Sequence, residues 1–242
     1  MYTLSTHLYD IIYASVDPAP MVEQVLTLIS RRKRSPGTAL LDVACGTGNL
    51  ISLLRRHYSV EGLDLDPYML DIARRKEPDI TFHQADMVTF DLGRRFDVIT
   101  CLGSAIAAVK TLPRLRQTLQ SMSHHLHPGG VVIIEPWLIP EVYKEGNLHA
   151  LLVDRPDLKI ARMNISKLEG RVSVLDLHYL VATPEGVQYF TERLDLGLFS
   201  HDDYVRAFSE AGLEMEHDAP EGSNGRGLYS GVFQPSKPQA DV

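Results

Sequence analysis

The sequence predicts an α/β fold in which a doubly wound, mostly parallel sheet carries a small antiparallel β insertion. Between about residues 38 and 135, short apolar segments alternate with helical segments, which is typical of parallel strands joined by right-handed crossovers. From 159 to 198 the pattern changes to longer β segments separated by turn residues, which favours antiparallel pairing. The 242 residues allow one such domain with an elaboration.

Apolar runs and capping residues predict the elements of the parallel region. The run at 38–43 lies between Pro36-Gly37 and Gly46, so it predicts a buried strand. Asp66 followed by Pro67 predicts the start of a helix, because these residue types favour the N-cap and first helical positions. On the same grounds we predict helices over 17–34, 50–54, 67–76 and 113–126, and strands over 38–43, 59–63, 80–84, 96–101 and 131–135.

The second part of the chain predicts a β-rich lid and a closing unit. Three β segments at 159–166, 171–181 and 188–198 are joined by turns at Glu169-Gly170 and Pro184-Glu185-Gly186. A helix then begins after Ser200 and ends before Gly212, and segments 213–216 and 228–233 predict an antiparallel hairpin. We expect a main domain over 1–140 and 200–235, a lid at 141–199 and a flexible tail at 236–242.

Charge and composition exclude several function classes. The net charge of −7 and the isoelectric point near 5.8 argue against a nucleic-acid partner, which needs clustered cations. The basic run at 31–34 ends a predicted helix, where cations suit the dipole. Cys45 and Cys101 lack the spacing of metal ligands and suit a reducing compartment. We expect a cytoplasmic enzyme, with no metal, no membrane segment and no signal peptide, that is a monomer or homodimer.

The strongest local signal is the glycine-rich turn Leu41–Gly48, which follows a predicted strand and opens a helix. Gly46 and Gly48 let a ligand approach the backbone at the carboxyl end of the first strand, where doubly wound folds bind ligands. A P-loop needs a Gly-Lys-Ser/Thr ending, which is absent, and the dinucleotide fingerprint needs a glycine where Ile51 stands. A ligand without a pyrophosphate therefore fits better. The alternative is a turn that binds nothing.

Acidic residues at two further strand ends favour a nucleoside. Asp64 closes the second strand about 20 residues after the turn, where an acidic residue grips ribose hydroxyls. Asp86 and Met87 follow the third strand, and a carboxylate beside an apolar side chain suits the amine and face of adenine. Each aspartate taken alone could instead be a solvated loop residue or a cap. Together they predict one nucleoside site along one sheet edge.

Several motifs of the chain resemble those of a known enzyme family. The segments LDVACGTG (41–48), ADM (85–87) and LHPGG (126–130) resemble the motifs of class I S-adenosylmethionine-dependent methyltransferases. The segments YDIIY (9–13), EPW (135–137), DLHY (176–179) and GRGLY (225–229) resemble the N-methyltransferases of nucleotide-linked 3-amino-3,6-dideoxysugars in antibiotic biosynthesis. The resemblance spans nearly the whole chain. It implies a Rossmann-like catalytic domain, S-adenosylmethionine as the cofactor and a small-molecule acceptor.

The resemblance also implies roles for individual residues. It assigns the methionine portion of the cofactor to Ala44, Gly46, Gly48 and Tyr13, the adenosine to Asp64, Leu65, Asp86 and Met87, and the sulfonium region to Leu102. It assigns the acceptor to Tyr9, Ser104, Trp137, His178 and Arg226, with His178 and Glu135 as catalytic candidates.

Several of these assignments have structural alternatives. Arg226 between two glycines suits bidentate phosphate or carboxylate binding, or is a surface arginine in a turn. Trp137 walls a pocket or packs in the core. His178 accepts a proton from an amine or bonds within the sheet, and Glu135 orients the acceptor or its surroundings.

The chain also departs from the subfamily in two places. The segment 16–21 has no second tyrosine for the cofactor, and 104–109 offers only Ser104 as a polar group near the acceptor. An O-methyltransferase of another metabolite, a non-catalytic S-adenosylmethionine-binding protein and an NAD-dependent oxidoreductase are therefore kept as alternatives; the glycine spacing disfavours the oxidoreductase.

Overall fold

The computed structural model describes residues 5–219 and 227–234, and these residues form two sheets. The larger sheet has seven strands in the order β10-β11-β5-β4-β1-β2-β3. Its strands are β1 Ala39–Val43, β2 Ser59–Asp64, β3 Thr81–Gln84, β4 Phe96–Cys101, β5 Leu126–Ile134, β10 Leu213–Asp218 and β11 Leu228–Phe233. The smaller, antiparallel sheet consists of β6 Leu148–Asp154, β7 Lys159–Glu169, β8 Val172–Thr183 and β9 Gly186–Gly197 in sequence order.

Helices cover the faces of the seven-stranded sheet and form two apolar layers with it. The helices are α1 Tyr9–Ile12, α2 Ala19–Arg32, α3 Ile51–Leu54, α4 Pro67–Lys76, α5 Leu112–His124 and α6 His201–Glu210. One buried cluster gathers apolar residues of α2, α3 and α4, and the other gathers apolar residues of α5 and α6. The predicted α/β fold class is therefore confirmed. None of the described helices is long and apolar enough to cross a bilayer.

The order of the strands places a crevice between β1 and β4. From β1 the chain moves outward through β2 and β3, then returns to β4 on the other side of β1 and continues to β5. The strands β1 and β4 pair in parallel, with Leu40 beside Val98. Connections that leave these two strands in opposite directions open a crevice at their carboxyl ends. The glycine-rich turn follows β1 and therefore lies at this crevice.

The helix boundaries follow from local capping chemistry. The Asp66 carboxylate accepts the backbone N–H of Tyr68 at 2.9 Å and begins α4 at the predicted residue. Ser200 and Asp203 exchange side-chain and backbone hydrogen bonds and form a capping box that begins α6. The two ends predicted from Asp66 and Ser200 are thus confirmed.

The three arginines of the basic run at 31–34 pair with acidic side chains of β10. Arg34 pairs with the Glu214 carboxylate through both terminal nitrogens at 3.1 Å, and Arg31 pairs with Asp218 at 3.0 Å. Arg32 is buried and contacts Glu216. The helix end therefore carries cations, as predicted, and carboxylates of β10 pair with the three arginines.

Three elements differ most clearly from the sequence prediction: α1 and β6, which were not predicted, and β5. β5 begins at Leu126, ahead of the predicted 131, because Leu126 already pairs with Phe96 of β4 before an irregularity in the register. The strand β6 (LHALLVD) was not predicted. Its aliphatic residues point to both faces of the sheet, so the sequence shows no polar alternation.

The inner face of the smaller sheet packs on the N-terminal segment. Leu8 and Ile12 are buried against Ile160, Tyr179 and other side chains of β7 to β9. The Glu192 carboxylate of β9 accepts the backbone N–H of Ser5 at 3.0 Å. The sheet lies within the predicted lid at 141–199, and its action as a lid stays a prediction.

Candidate active site at the glycine-rich turn

The turn after β1 needs backbone conformations that favour glycine. Ala44, Gly46 and Gly48 all have positive φ, at 57°, 56° and 76°. A Cβ built on Gly46 meets nothing within 4 Å, so the space beside this backbone is open. The positive φ angles thus form the turn, and no side chain fills the space beside Gly46. A ligand that contacts the backbone requires such an open space.

A cavity of about 90 Å³ lies beside this turn. Its wall includes Tyr9, Asp42, the backbone from Ala44 to Thr47, and Leu102 with Gly103 after β4. Leu102 is buried and supplies an apolar side. The structure therefore brings together predicted residues from the N-terminal segment, β1 and β4.

The cavity contains a buried carboxyl group, Asp42, that the sequence prediction left without a role. Its side chain is 2% exposed, and Oδ1 accepts a hydrogen bond from the Thr100 hydroxyl at 2.7 Å. Burial, with a smaller contribution from the nearby Asp64 carboxylate, raises the pKa of Asp42 to about 7. A cation in this cavity would stabilise the ionised form of Asp42.

Asp64 at the end of β2 is fixed by the turn it faces. Its Oδ2 accepts the backbone N–H of Gly46 at 2.8 Å, and its Oδ1 accepts that of Asp66 at 2.9 Å. Burial raises its pKa in spite of these bonds. Leu65, the next residue, is 45% exposed. A held carboxylate beside an exposed aliphatic side chain is the arrangement predicted for a ribose and a purine face.

Asp86 follows β3, the strand that pairs with β2. Its Oδ1 accepts the backbone N–H of Val88 at 2.9 Å, and its Oδ2 pairs with Arg114 of α5 at 3.0 Å. Met87 is partly buried against the core cluster of α5 and α6. Asp64 and Asp86 thus lie at the ends of adjacent strands on one sheet edge, as predicted. The ion pair with Arg114 was not predicted.

Asp10 links the N-terminal helix α1 to the glycine-rich turn and to α4 through hydrogen bonds and an ion pair. One oxygen of Asp10 accepts from the Thr47 hydroxyl at 2.6 Å and from the Asn49 amide at 3.0 Å. The other oxygen pairs with Lys76 of α4 at 3.1 Å, and Lys76 also contacts Asn49. These partners hold the pKa of Asp10 below its usual value. We call this set (Asp10, Thr47, Asn49 and Lys76) the Asp10 network.

We expect Asp10→Ala to raise the Kd for S-adenosylhomocysteine by roughly fivefold, because a half-exposed charged network contributes about 1 kcal/mol. Loss of the network frees α1 from the turn and opens the cavity on the side of Tyr9. Isothermal titration calorimetry measures the change. Asp71→Ala, which removes an exposed i,i+3 ion pair with Arg74 on α4, is the matched control and should leave the Kd unchanged. Equal Kd values for the two variants would contradict the fastening role.

The two predicted tyrosines occupy different places. Tyr9 lines the cavity, and burial raises the pKa of its phenol to about 12, so the group stays protonated in the physiological range. Tyr13 packs on Tyr9 with ring centroids 4.8 Å apart, and its hydroxyl accepts from Arg162 of β7 at 3.1 Å. The cavity wall is thus formed by Tyr9, to which the resemblance gave the acceptor, while Tyr13 contacts the smaller sheet.

Hydrogen bonds of Glu135 and Ser104 hold the loop that follows β4 and lines the cavity. One oxygen of Glu135 accepts the backbone N–H of Gly103 at 2.6 Å. Ser104 is buried in a left-handed conformation, with φ 59°, and its hydroxyl donates to the carbonyl of Pro136 at 2.9 Å. The Ser104 hydroxyl thus donates to the loop, and its contact with the acceptor stays a prediction. Trp137 packs against the cluster between the smaller sheet and the N-terminal segment.

The structure does not bring His178 to the cavity. Tyr179, the next residue on β8, is buried against the N-terminal segment, so the alternation of strand side chains turns His178 to the opposite, outer face. There its Nδ1 lies 2.7 Å from the Tyr189 hydroxyl. The assignment of His178 to catalysis and to the acceptor therefore disagrees with the geometry. Arg226 lies outside the described residues.

Sequence reasoning gave no role to several residues of the site. Asp42 left a signal, since a carboxylate inside the apolar run Leu40–Val43 marks a buried polar group that needs a partner. The Asp10 network and Arg114 left no such signal, because the bonded partners are 27 to 66 residues apart in the chain.

Known proteins resemble both the sequence and the structure. A family model described as a methyltransferase domain matches residues 40–130. The chain is 40% identical, over 93% of its length and 91% of the relative's, to dTDP-4-amino-2,3,4,6-tetradeoxy-D-glucose N,N-dimethyltransferase of Saccharopolyspora spinosa. It is 40% identical to dTDP-3-amino-3,6-dideoxy-alpha-D-glucopyranose N,N-dimethyltransferase of Streptomyces fradiae, over 86% of this chain and 82% of that one. The structure of S-adenosylmethionine-bound CalS10, an amino pentose methyltransferase from Micromonospora echinaspora, matches with a TM-score of 0.84 and 33% identity, covering 97% of this chain and 98% of that one.

Proposed function

Because the chain belongs to the S-adenosylmethionine-dependent amino-sugar N-methyltransferases, we propose that it methylates the amine of a sugar linked to a nucleoside diphosphate. The observation that carries this proposal is the cavity at the end of β1, where the open backbone of Gly46 and the buried carboxyl of Asp42 face one space. The alternatives of an O-methyltransferase and of a non-catalytic binder receive no comparable support from the relatives.

The residues present fit S-adenosylmethionine. Its ammonium and sulfonium groups are cations, and the cavity offers the carboxyl of Asp42 with the Asp64 carboxylate nearby. We assign the methionine end to Tyr9, Asp42 and the turn from Ala44 to Gly48. The ribose is assigned to Asp64 and the adenine to Leu65, Asp86 and Met87. Leu102 and Gly103 lie against the reacting region.

When bound, the cofactor supplies an electrophilic methyl group on a positively charged sulfur. The protein's part is to align the acceptor with that methyl group and to exclude water, and alignment alone contributes ~7–11 kcal/mol to such reactions. The amine must be neutral to attack, and a dry pocket lowers an amine pKa. Tyr9, whose phenol stays protonated, and Glu135, which holds the Gly103 loop, are assigned positioning roles.

The acceptor reaches the cavity, in this proposal, between the glycine-rich turn and the inner face of the smaller sheet. Trp137 and Tyr13 are partly buried against the apolar cluster between the smaller sheet and the N-terminal segment, and we assign them to the side of this approach. Arg226 stays a predicted ligand for the phosphates. The relatives named above carry their amines at sugar position 3 or 4, so the site is expected to accept an amine at one of these two positions.

The test is an assay with S-adenosylmethionine and matched dTDP-sugars that carry an amine or a hydroxyl at position 3 or 4. Mass spectrometry should find one or two added methyl groups on an amino sugar and none on the matched hydroxyl sugar. Calorimetry with S-adenosylhomocysteine is run alongside. Tight binding of S-adenosylhomocysteine without methylation of any amine, or methylation of the hydroxyl sugar, would contradict the proposed acceptor while leaving the cofactor assignment intact.

The proposal also covers the place where the enzyme acts. Cys45 and Cys101 are both free thiols, which is the usual state of cysteines in a reducing compartment. We therefore propose a cytoplasmic enzyme that acts on a small, diffusible nucleotide sugar.

A further inference from the structure

The loop between β4 and α5 (103–111) connects the cofactor cavity to the smaller sheet. It begins at Gly103, which lines the cavity, and continues through a short 3-10 helix at Ala105–Val109. Ala107 of this helix is fully buried in the same apolar cluster as Leu196 of β9. One loop therefore contacts both the cavity and the sheet that forms the other side of the proposed acceptor approach.

The backbone of this loop has uncommon conformations at both of its ends. Gly103, Ser104 and Lys110 have φ of 64°, 59° and 64°, which is unusual for residues that carry a side chain. Such conformations persist where the surrounding structure holds them, and they cluster at functional sites. At the first end, Glu135 accepts from Gly103, and the carbonyl of Pro136 accepts from Ser104. The second end, at Lys110, contacts the smaller sheet.

The contact at Lys110 includes a close approach of two backbones. A Cβ built on Gly197, the last residue of β9, would lie 3.0 Å from the Lys110 Cα and 3.0 Å from its carbonyl oxygen. A larger residue than glycine would therefore push the loop and the strand apart. The loop and the smaller sheet are thus in direct contact at this point.

An ion pair strengthens the same contact. The ammonium group of Lys110 lies 3.0 Å from Oδ2 of Asp195 on β9, and Oδ1 of Asp195 accepts from Nε of Arg193 at 2.7 Å. Partial burial raises the pKa of Asp195, but hydrogen bonds from Arg193 and Lys110 lower it below its usual value overall. The carboxylate therefore stays ionised at neutral pH, and the pair with Lys110 is present under assay conditions.

We propose that Lys110 and Asp195 are positioning residues for methyl transfer. Their ion pair holds the loop beside the reacting group at a fixed distance from the sheet beside the acceptor. The residues that line the cavity include neither Lys110 nor Asp195, so the pair acts through Gly103 and Ser104. Alignment makes a large contribution to such reactions, and small displacements from remote substitutions lower their rate. The inference rests on the proposed function for the place of the acceptor and not for its identity.

The test compares Lys110→Met with wild type. This substitution removes the charge and keeps a long aliphatic side chain, so it is expected to lower kcat for the amino sugar by about fivefold. The Kd for S-adenosylhomocysteine should stay unchanged, because the cofactor site itself is intact. Lys110→Arg, which restores the cation, should recover most of the loss. Combining Asp195→Asn with Lys110→Met should cost no more than the larger single effect, because both substitutions break one pair.

Arg193→Met is the matched control, because it removes a different cation from the same carboxylate. Arg193 pairs with Asp195 and with Glu169, which both belong to the smaller sheet, so its loss leaves the loop contact in place. It should keep the wild-type kcat. Hydrogen–deuterium exchange gives a second measurement that needs no acceptor: amides of 103–111 should exchange about threefold faster in Lys110→Met and at the wild-type rate in Arg193→Met.

Two results would overturn the proposal. Unchanged exchange at 103–111 in a folded Lys110→Met variant would show that the pair does not hold the loop. Faster exchange with an unchanged kcat would show that the pair is only structural. Methylation of a hydroxyl sugar in place of an amino sugar would contradict the proposed acceptor alone, and the same variants are then compared on that sugar. If no sugar is methylated, the proposed function fails, and the exchange rates decide whether the pair holds the loop.

Discussion

Replacing Asp64 by alanine is expected to raise the Kd for S-adenosylhomocysteine by about tenfold to a hundredfold, since a hydrogen bond to a charged group contributes ~1.5–3 kcal/mol. The carboxylate is the group assigned to the ribose, and it also accepts the Gly46 N–H at 2.8 Å. The substitution thus removes the assigned ribose contact and loosens the turn at once. Isothermal titration calorimetry measures the affinity.

Two control variants separate these effects. Asp64→Asn keeps an oxygen that can accept from Gly46 but loses the charge, so it should lie between wild type and alanine. Asp66→Ala removes the cap of α4, which should lower the free energy of unfolding by about 1 kcal/mol while leaving the Kd unchanged. If Asp66→Ala weakened binding as much as Asp64→Ala, the loss would reflect disorder of the turn, and the ribose assignment would fail.

The affinity for S-adenosylhomocysteine is expected to rise with pH and to level off above about pH 7. Burial raises the pKa of Asp42 to about 7, so the free protein holds this carboxyl protonated at lower pH. The ammonium group of the ligand favours the carboxylate, and binding below the pKa must therefore release a proton. The slope approaches about tenfold in Kd for each pH unit well below the pKa.

The raised pKa of Asp42 has the opposite effect on stability, which is expected to fall as pH rises. The folded state keeps the proton on Asp42 between the ordinary carboxyl pKa of 3.8 and about 7, while the unfolded state has lost it. The contribution of Asp42 to the free energy of unfolding therefore falls as pH rises through this range. Asp42→Asn, which keeps an acceptor for the Thr100 hydroxyl, should make both pH profiles flatter. A binding profile with the same slope in wild type and Asp42→Asn would show that another group releases the proton.

Whether a contact between two residues could be predicted depends on their separation in the chain and on the elements that carry them. The turn from Ala44 to Gly48 and the strand ends at Asp64 and Asp86 were predictable, because apolar runs locate the strands and parallel strands end at one edge. The partners of Asp10 and Asp86 were not, because they come from separate elements that only packing brings together. His178 was assigned to the acceptor because its motif matched that of the family. The face of the strand on which it lies depends, however, on which side of the smaller sheet is covered.

The sequence by itself determined the α/β class and the position of the glycine-rich turn, because these depend on local conformational preferences and on the order of strands along the chain. The kind of cofactor followed from the resemblance of the motifs to those of class I methyltransferases. Only the tertiary structure decided that Asp42 is a buried carboxyl with a raised pKa and that Tyr9 walls the cavity. It also decided that the smaller sheet exposes an apolar face. Burial and electrostatic environment are properties of the packed chain, and a residue's neighbours in sequence do not fix them.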